Sequence, residues 1–433
     1  MTVEKKLNTY LVGGAVRDQL LGIAVKEQDW VVVGSTPDEM QQLGFSQVGK
    51  DFPVFLHPQS KQEYALARKE RKQGSGYHGF STETVSVTLE EDLSRRDLTI
   101  NAIAKSRDNE LIDPFNGRKD LENRILRHVS PAFTEDPLRV LRVARFAAQL
   151  AHFGFELASE TRELLITMSS GGELEKLTPE RVWIETEKAL NTPRPRLFFE
   201  LLRETGALKV IFPEVDALFG IDQRPKFHPE IDAGYHCLLS LDRIAELTTD
   251  PIQRFAVLCH DLGKANTPDD IRPSHTGHEA RGAELTNKLC DRLKIPNKYR
   301  NLSVRVARHH LLCHQILRAP SQDVIELLSQ LGAWTQNSHV EAFSNCCMAD
   351  ARGRTGLESR PYPQKEFLIQ CEKTGGSVDA STLVKQGFAG KELGKRLRQL
   401  RANAIHPVIE KYKDIDELSY ACPSYKYPSE PQG

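Results

Sequence analysis

The chain lacks any charge excess: 58 basic residues stand against 59 acidic ones. That balance excludes a uniformly basic nucleic-acid coat, so any RNA or DNA contact must be regional. No C-x-x-C pair occurs among its eight cysteines (237, 259, 290, 313, 346, 347, 371 and 422), and the amino terminus is polar before it enters a short strand. Both features favour a reducing, cytoplasmic setting. No apolar run approaches the ~20 residues that a bilayer-spanning helix needs, which predicts a soluble protein with no membrane partner. Internal repeats and low-complexity blocks are absent as well.

What is present is length and a change of texture. At 433 residues the chain exceeds the ~250–300 at which a single core stops growing, so several packed units are expected. Residues 8–115 alternate short β-rich runs (Tyr10–Val12, Trp30–Val33, Val54–Leu56, Tyr64–Ala67) with helical patches and glycine turns. From about Asp120 strand signals nearly vanish, and amphipathic helices are predicted over Asp136–Leu150, Thr178–Leu190 and Arg196–Thr205. The fold class is therefore α+β, a small sheet domain followed by an all-helical body. Expected segments are 1–135 (head), 136–225 (helical neck), 226–350 (a histidine-rich region) and 351–433 (a helical body whose tail, CPSYKYPSEPQG, frays).

The stretch LVGGAVRDQLLGIAVKEQDWVVVG, residues 11–34, places Gly13-Gly14 between a β run and a helix. Glycine there lets backbone N–H groups approach phosphate oxygens, with Arg17 one turn further on. Glu27 and Asp29 are two apart on the next strand, so both carboxylates would face one way and repel. A divalent cation relieves that repulsion, and oxygen-only ligation suits Mg²⁺ joined to substrate phosphates. Either half alone reads equally well as a turn and a solvated edge strand; their order points to phosphate chemistry.

Two further clusters follow. In LSRRDLTINAIA (93–104), a helix over Asp97–Ile103 would put Asp97 and Asn101 on one face for a ribose, with Arg95 and Arg96 free to meet phosphates. The alternative is a basic helix start that Asp97 caps. In TEDPLRVLRVARF (134–146), Glu135 and Asp136 lead a helix carrying Arg139, Arg142 and Arg145, and Asp136, Arg139 and Arg142 would fall within about 120° of one face. A carboxylate beside a guanidinium complements the amino donor and bare ring nitrogen of cytosine and adenine, and rejects the carbonyl and N–H of uracil and guanine. The plainer reading is an arginine-studded surface helix.

With G-G-x-x-R-D, E-x-D, R-R-D-x-x-x-N-A and E-D-x-x-R in this order, the sequence resembles the bacterial CCA-adding enzymes (tRNA nucleotidyltransferases), and within them those with a fused HD domain, from Tyr10 to about Arg401. The resemblance implies a nucleotidyltransferase head in which Gly14 and Arg17 hold the triphosphate and Glu27 and Asp29 the catalytic Mg²⁺. It also implies that Arg96, Asp97 and Asn101 bind sugar and phosphates, and that Asp136 and Arg139 template the base, with Arg142 and Arg145 nearby. The family usually has Asp-x-Asp where this chain has Glu27-x-Asp29. Glu63 is a candidate further acid near the metals, and Gly74–Gly79 reads as a mobile loop that remodels the pocket between C and A, or as a plain hairpin linker. Implied partners are CTP, ATP and the acceptor stem and 3′ end of tRNA, bound by a monomer or homodimer.

LCHDLGK (258–264) supplies adjacent His260 and Asp261 on an apolar helical run, and with His236 and Asp350 they form a mixed imidazole–carboxylate set. That set suits Ni²⁺, Mn²⁺ or Co²⁺ better than Mg²⁺. It resembles an HD phosphohydrolase domain, implying phosphatase and 2′,3′-cyclic phosphodiesterase activity. His278 and His309 or His310 are candidates to complete it, whereas His314 and His152 read as core histidines. Two rival readings are an ATP-only polyadenylating enzyme, and an RNA-binding HD phosphohydrolase whose head is inactive.

Overall fold

The computed structural model describes residues 7–25, 27–49, 54–72, 80–83, 86–225, 228–413 and 415. It divides into two compact units, Met1–Glu185 with Glu200–Ile211, and Thr186–Phe199 with Phe212–Gly433.

The first unit is built on a mixed seven-stranded sheet of order β3-β4-β5-β2-β1-β8-β9. Its strands are β1 (Asn8–Val12), β2 (Asp29–Val33), β3 (Ser46–Val48), β4 (Val54–Leu56), β5 (Glu63–Leu66), β8 (Ala104–Lys105) and β9 (Leu111–Ile112). Between β5 and β8 lies a separate antiparallel ribbon, β6 (Lys69–Lys72) with β7 (Phe80–Glu83); the Gly74–Gly79 loop lies outside the described residues. Within this sheet, among the described residues, only β2 and β5 run parallel. Alternation along β2 sends Val31 into a core with Val12, Leu93 and Ala102, and Val32 into another with Met40, Phe55 and Tyr64. Asp29 has the parity of Val31, so it belongs to the face that the 93–104 segment covers.

Helices α1 (Gly14–Leu20), α2 (Pro37–Gln42), α3 (Leu89–Ser94) and α4 (Gly117–Asn123) accompany the sheet. Thr36 and Thr88 start α2 and α3 with full capping boxes, each reciprocated by a glutamate three residues on. Then α5 (Leu138–Leu150), α6 (Ser159–Ser170), α7 (Pro179–Leu190), α8 (Arg196–Glu204) and α9 (Ala207–Ile211) follow, with strand content reduced to a two-residue pair, β10 (Ile125–Leu126) and β11 (Glu156–Leu157).

The second unit is helical: α10 (Pro213–Asp216), α11 (Ala233–Leu247), α12 (Pro251–Cys259), α13 (His278–Arg292), α14 (Asn297–His314), α15 (Ser321–Gln330), α16 (Val340–Arg352), α17 (Pro363–Gly376), α18 (Ser381–Lys385) and α19 (Gly390–Tyr412). Packing of α12 and α13 on α14, and of α11 on α16, buries Phe255, Leu289, Tyr299 and Phe343 and gathers the histidines between these helices. Asp232 and Asp250 cap α11 and α12 by accepting from Tyr235 and Ile252 N–H. No helix among the described residues is long and apolar enough to cross a membrane.

Two local expectations are corrected. Strand β2 begins at Asp29, so Glu27 lies in the loop before it rather than on the strand. Asp97–Ile103 is not an α-helix: Leu98 bridges to His128, and only Thr99–Asn101 form a 3₁₀ turn. The Thr99 hydroxyl donates to Asp120 at 2.7 Å and its N–H to the Arg127 carbonyl, which pulls the backbone out of helical register.

Candidate functional sites

On the covered face of the sheet, Asp29 stands in register with Glu63 across the parallel β2–β5 pair. Partial desolvation raises the Asp29 carboxyl above its ordinary value; Arg96 opposes this and the Glu27 charge adds to it. Asp29 thus feels one further acid and one arginine, and Glu63 stands beside it on the neighbouring strand. Gly13 has φ 71°, a left-handed backbone that favours glycine, and its turn sits against the Arg96 guanidinium. Arg96 also reaches the Asn101 carbonyl and the buried Asp92. Burial works to raise the Asp92 carboxyl, but Arg95 and Arg96 together hold it below the usual range.

Behind this cluster runs a chain of buried polar contacts. Arg17 is buried and donates to Asn101 Oδ1 at 2.7 Å and to Asp18. Asn101 donates to Asp97 Oδ1 at 2.9 Å, so the expected Asp97–Asn101 contact exists although a 3₁₀ turn makes it. Asp97 accepts from Arg142 at 2.6 Å, while Glu185 of α7 takes Arg145 at 2.6 Å and faces Arg142 at 3.8 Å. Burial would raise the Asp97 carboxyl, yet Arg142, Asn101 and its own cap to Leu98 N–H hold it far below the carboxylate range, and the Arg142 guanidinium is correspondingly raised.

Asp136 and Arg139 do not pair with each other. Asp136 accepts from Leu138 N–H and makes an ion pair with Arg181 at 2.8 Å. Arg139 is buried and donates to the carbonyls of Ala132 and Arg95 at 2.5 Å each. Arg181 and Glu185 are partners that the sequence reading missed. Their i,i+4 spacing on α7 was the available signal, since it puts both on the face that meets α5.

In the second unit His236, His260, Asp261 and Asp350 are buried together. Nε2 of His236 lies 3.0 Å from Asp350 Oδ1 and 3.4 Å from His260 Nε2, which is 3.1 Å from Asp261 Oδ2. His236 Nδ1 faces Glu230 Oε1 at 2.9 Å, a carboxylate–imidazole contact of the kind that orients metal ligands. Burial would lower the His236 ring, but Asp350 and Glu230 hold it above its ordinary value, so positive charge is favoured between them. His278 and His310 also converge on Asp261, whereas His309, one position away on α14, shares neither its neighbour's full burial nor its contact with Asp261.

His314 is a correction. It is not an inert core histidine, because its Nε2 meets Asp350 Oδ2 at 2.6 Å and its Nδ1 meets the Tyr362 hydroxyl at 2.9 Å. One helical turn after His310, it was legible by spacing. Lys264 was missed too: its ammonium bonds Asp261 Oδ2 at 2.6 Å and Gln223 Oε1 at 2.5 Å. Glu230 gave no sequence signal.

Residues 9–127 match the family described as Poly A polymerase head domain, and residues 154–219 the one described as probable RNA and SrmB-binding site of polymerase A. Among solved structures, a Thermotoga maritima CCA-adding enzyme complexed with tRNA shares the fold at TM-score 0.60 and 20% identity, covering 95% of this chain and 92% of that one. A CCA-adding enzyme in complex with ATP does so at TM-score 0.61 and 22% identity, covering 95% and 89%. A multifunctional CCA protein of Thioalkalivibrio sulfidiphilus is 54% identical over 400 residues, which is 92% of this chain and 98% of that protein. At that identity over nearly the full length of both, the chain belongs to the multifunctional CCA proteins, the CCA-adding tRNA nucleotidyltransferases.

Proposed function

We propose that the chain adds or repairs the 3′-terminal CCA of tRNA without a nucleic-acid template, from CTP and ATP, and that its second unit removes phosphate from, or opens, 2′,3′-cyclic RNA ends. The observation that carries the first part is Asp29 in register with Glu63 across β2 and β5, with the charge of Glu27 acting on it from the loop just before β2 and Arg96 acting against it. Like charges gathered at one end of two neighbouring strands fit a hard divalent cation. Mg²⁺ held by Glu27 and Asp29 would supply activation of the attacking 3′-hydroxyl and stabilisation of departing pyrophosphate.

The chain's own residues do the rest. Gly14 opens its backbone N–H toward phosphates, while the Gly13 N–H is taken by the Ile103 carbonyl, and Arg96 offsets charge that builds on them. Arg17, Asn101, Asp97 and Arg142 fix the floor of the pocket and tie it to α5, so the triphosphate end and the base-reading end keep one spacing. Asp136, steered by Arg181, presents an acceptor to the amino group of cytosine or adenine; Arg139 would turn from its carbonyl partners to the ring nitrogen when a base arrives.

For the second part, buried imidazoles and carboxylates fit Ni²⁺ or another first-row divalent ion held by His236, His260, Asp261 and Asp350, which would supply an activated water for phosphate-ester hydrolysis. Functional segments are accordingly a head (1–135), a neck (136–225), an HD region (226–350) and a C-terminal body (351–433), acting in the cytoplasm where tRNA is matured.

Purified protein, a tRNA ending before CCA and single nucleotides test the reading. Two C residues followed by one A are expected. A-tracts from ATP alone would replace it with an adenylating enzyme. No incorporation, with phosphate released from a cyclic nucleotide, would leave only the phosphohydrolase.

A further inference from the structure

We propose that Phe146 is a positioning residue of the first unit: its ring holds Arg17, Arg142 and Arg145 as one cationic group that grips the nucleoside triphosphate. The inference rests on reading this unit as a nucleotidyltransferase.

Three guanidiniums lie over this ring. Arg145 stands 4.1 Å from its centroid, Arg17 5.2 Å and Arg142 5.8 Å. Two of them share α5 with Phe146, Arg142 one turn before it and Arg145 next to it, whereas Arg17 arrives from α1. Asn101 ties down Arg17, and Glu185 faces Arg142 and Arg145; the ring reaches all three. Phe146 is buried, so the attraction between ring face and cation acts where little water competes.

Carboxylates cannot do the same work. Each neutralises an arginine but occupies its N–H groups: Asp18 takes Nε and Nη2 of Arg17, Asp97 takes Nε and Nη2 of Arg142, and Glu185 takes Nε of Arg145. A π face attracts the cation and takes no N–H, because a guanidinium lying over it keeps its donors in its own plane. Nη1 of Arg142 carries no hydrogen bond among the described residues, with Glu185 3.8 Å away. The Arg142 side chain is also the most exposed of the three, at 35% against 4% for Arg17 and 10% for Arg145. The ring thus relieves repulsion among three like charges while a donor stays available to an anion.

The ligand class follows from where the cluster sits. Arg17 belongs to the helix that Gly14 opens, so the ring joins the phosphate-facing turn to α5. Phosphates and sugar are common to CTP and ATP. Phe146 should therefore act on both nucleotides alike and leave the choice of base to Asp136 and Arg139.

Fluorine tests this, because it weakens the negative face of the ring while hardly changing its size. Full-length protein is made with mono-, di- and trifluorinated phenylalanine at position 146, and as Phe146→Leu, with circular dichroism checking each fold. Initial rates are measured with CTP on a tRNA ending before CCA, and with ATP on one ending in CC. KM for CTP and for ATP is expected to rise with each fluorine, to roughly fivefold at three, with kcat held within about twofold and the CTP-over-UTP preference unchanged. Phe146→Leu should match or exceed the trifluorinated protein; where it fails to fold, the fluorinated series decides. A KM that ignores fluorine, whatever happens to stability or kcat, overturns the proposal and leaves Phe146 a core residue. A wild type that adds neither C nor A overturns the transferase reading, and the positioning role with it.

Discussion

Arg142 reaches across from α5 to the buried Asp97, 45 positions earlier, and places both Nε and Nη2 on the same carboxylate oxygen at 2.8 and 2.6 Å. Removing the cation strands a carboxylate that has little water to fall back on. Arg142→Ala is expected to destabilise the first unit by about 3 kcal/mol, the lower end for a buried pair because the arginine is one-third exposed. Urea unfolding measures it, and Arg142→Lys should recover only part, since one ammonium cannot reproduce the fork.

The same pair sets an acid limit. Asp97 titrates well below its unfolded value of about 3.9, so its contribution is fully present above roughly pH 4 and drains away as pH falls toward the folded value. Wild type and Asp97→Asn should differ by a constant amount from pH 7 to 5. Below about pH 4 the difference should shrink, because only in the wild type does position 97 gain a proton on unfolding. Unfolding free energies measured across pH 3 to 7 check the sign.

Arg181 steers Asp136 through a pair that is about one-quarter exposed on both sides. Its loss should change stability by no more than about 1 kcal/mol. Base selection is another matter: with the carboxylate free to rotate, the CTP-over-UTP preference of Arg181→Ala should fall by up to roughly tenfold, one hydrogen bond's worth. Single-nucleotide incorporation ratios test this, and an unchanged ratio would remove Arg181 from the specificity apparatus.

Gly263→Ala should separate the two activities. Its Cβ would collide with the His278 carbonyl and lie 2.5 Å from Gly282 N, and overpacking of this kind costs about 1–3 kcal/mol or forces backbone to shift. Displaced, α13 carries His278 away from Asp261. Hydrolysis of a 2′,3′-cyclic nucleotide should fall sharply while C and A incorporation persists.

Much of this was legible in the chain. The four strands expected from alternating apolar residues are β1, β2, β4 and β5, and the helices expected at Asp136–Leu150, Thr178–Leu190 and Arg196–Thr205 begin within two residues of α5, α7 and α8. Strands β8 and β9 were not, because two residues are too few to reveal a period of two, while β3 reads SQV, exposed throughout, and β6 reads KERK, and neither offers the apolar residues that marked the three-residue β4. In the sites, neighbours in sequence were readable: His260 with Asp261, Arg96 with Asp97. Glu185, brought to Arg145 from α7, left only its i,i+4 spacing with Arg181 as a sign, and Glu230, which meets His236 from the turn just before α11, left none.

The most direct test of the account compares Asp29→Asn with the wild type on a tRNA lacking CCA, given CTP, ATP and Mg²⁺. Removing the charge of Asp29, beside Glu27 and Glu63, should cut incorporation by at least roughly a hundredfold, about 3 kcal/mol of barrier, while cyclic-phosphate hydrolysis by the second unit stays at the wild-type rate. Incorporation at the wild-type rate would contradict the assignment of catalysis to this carboxylate.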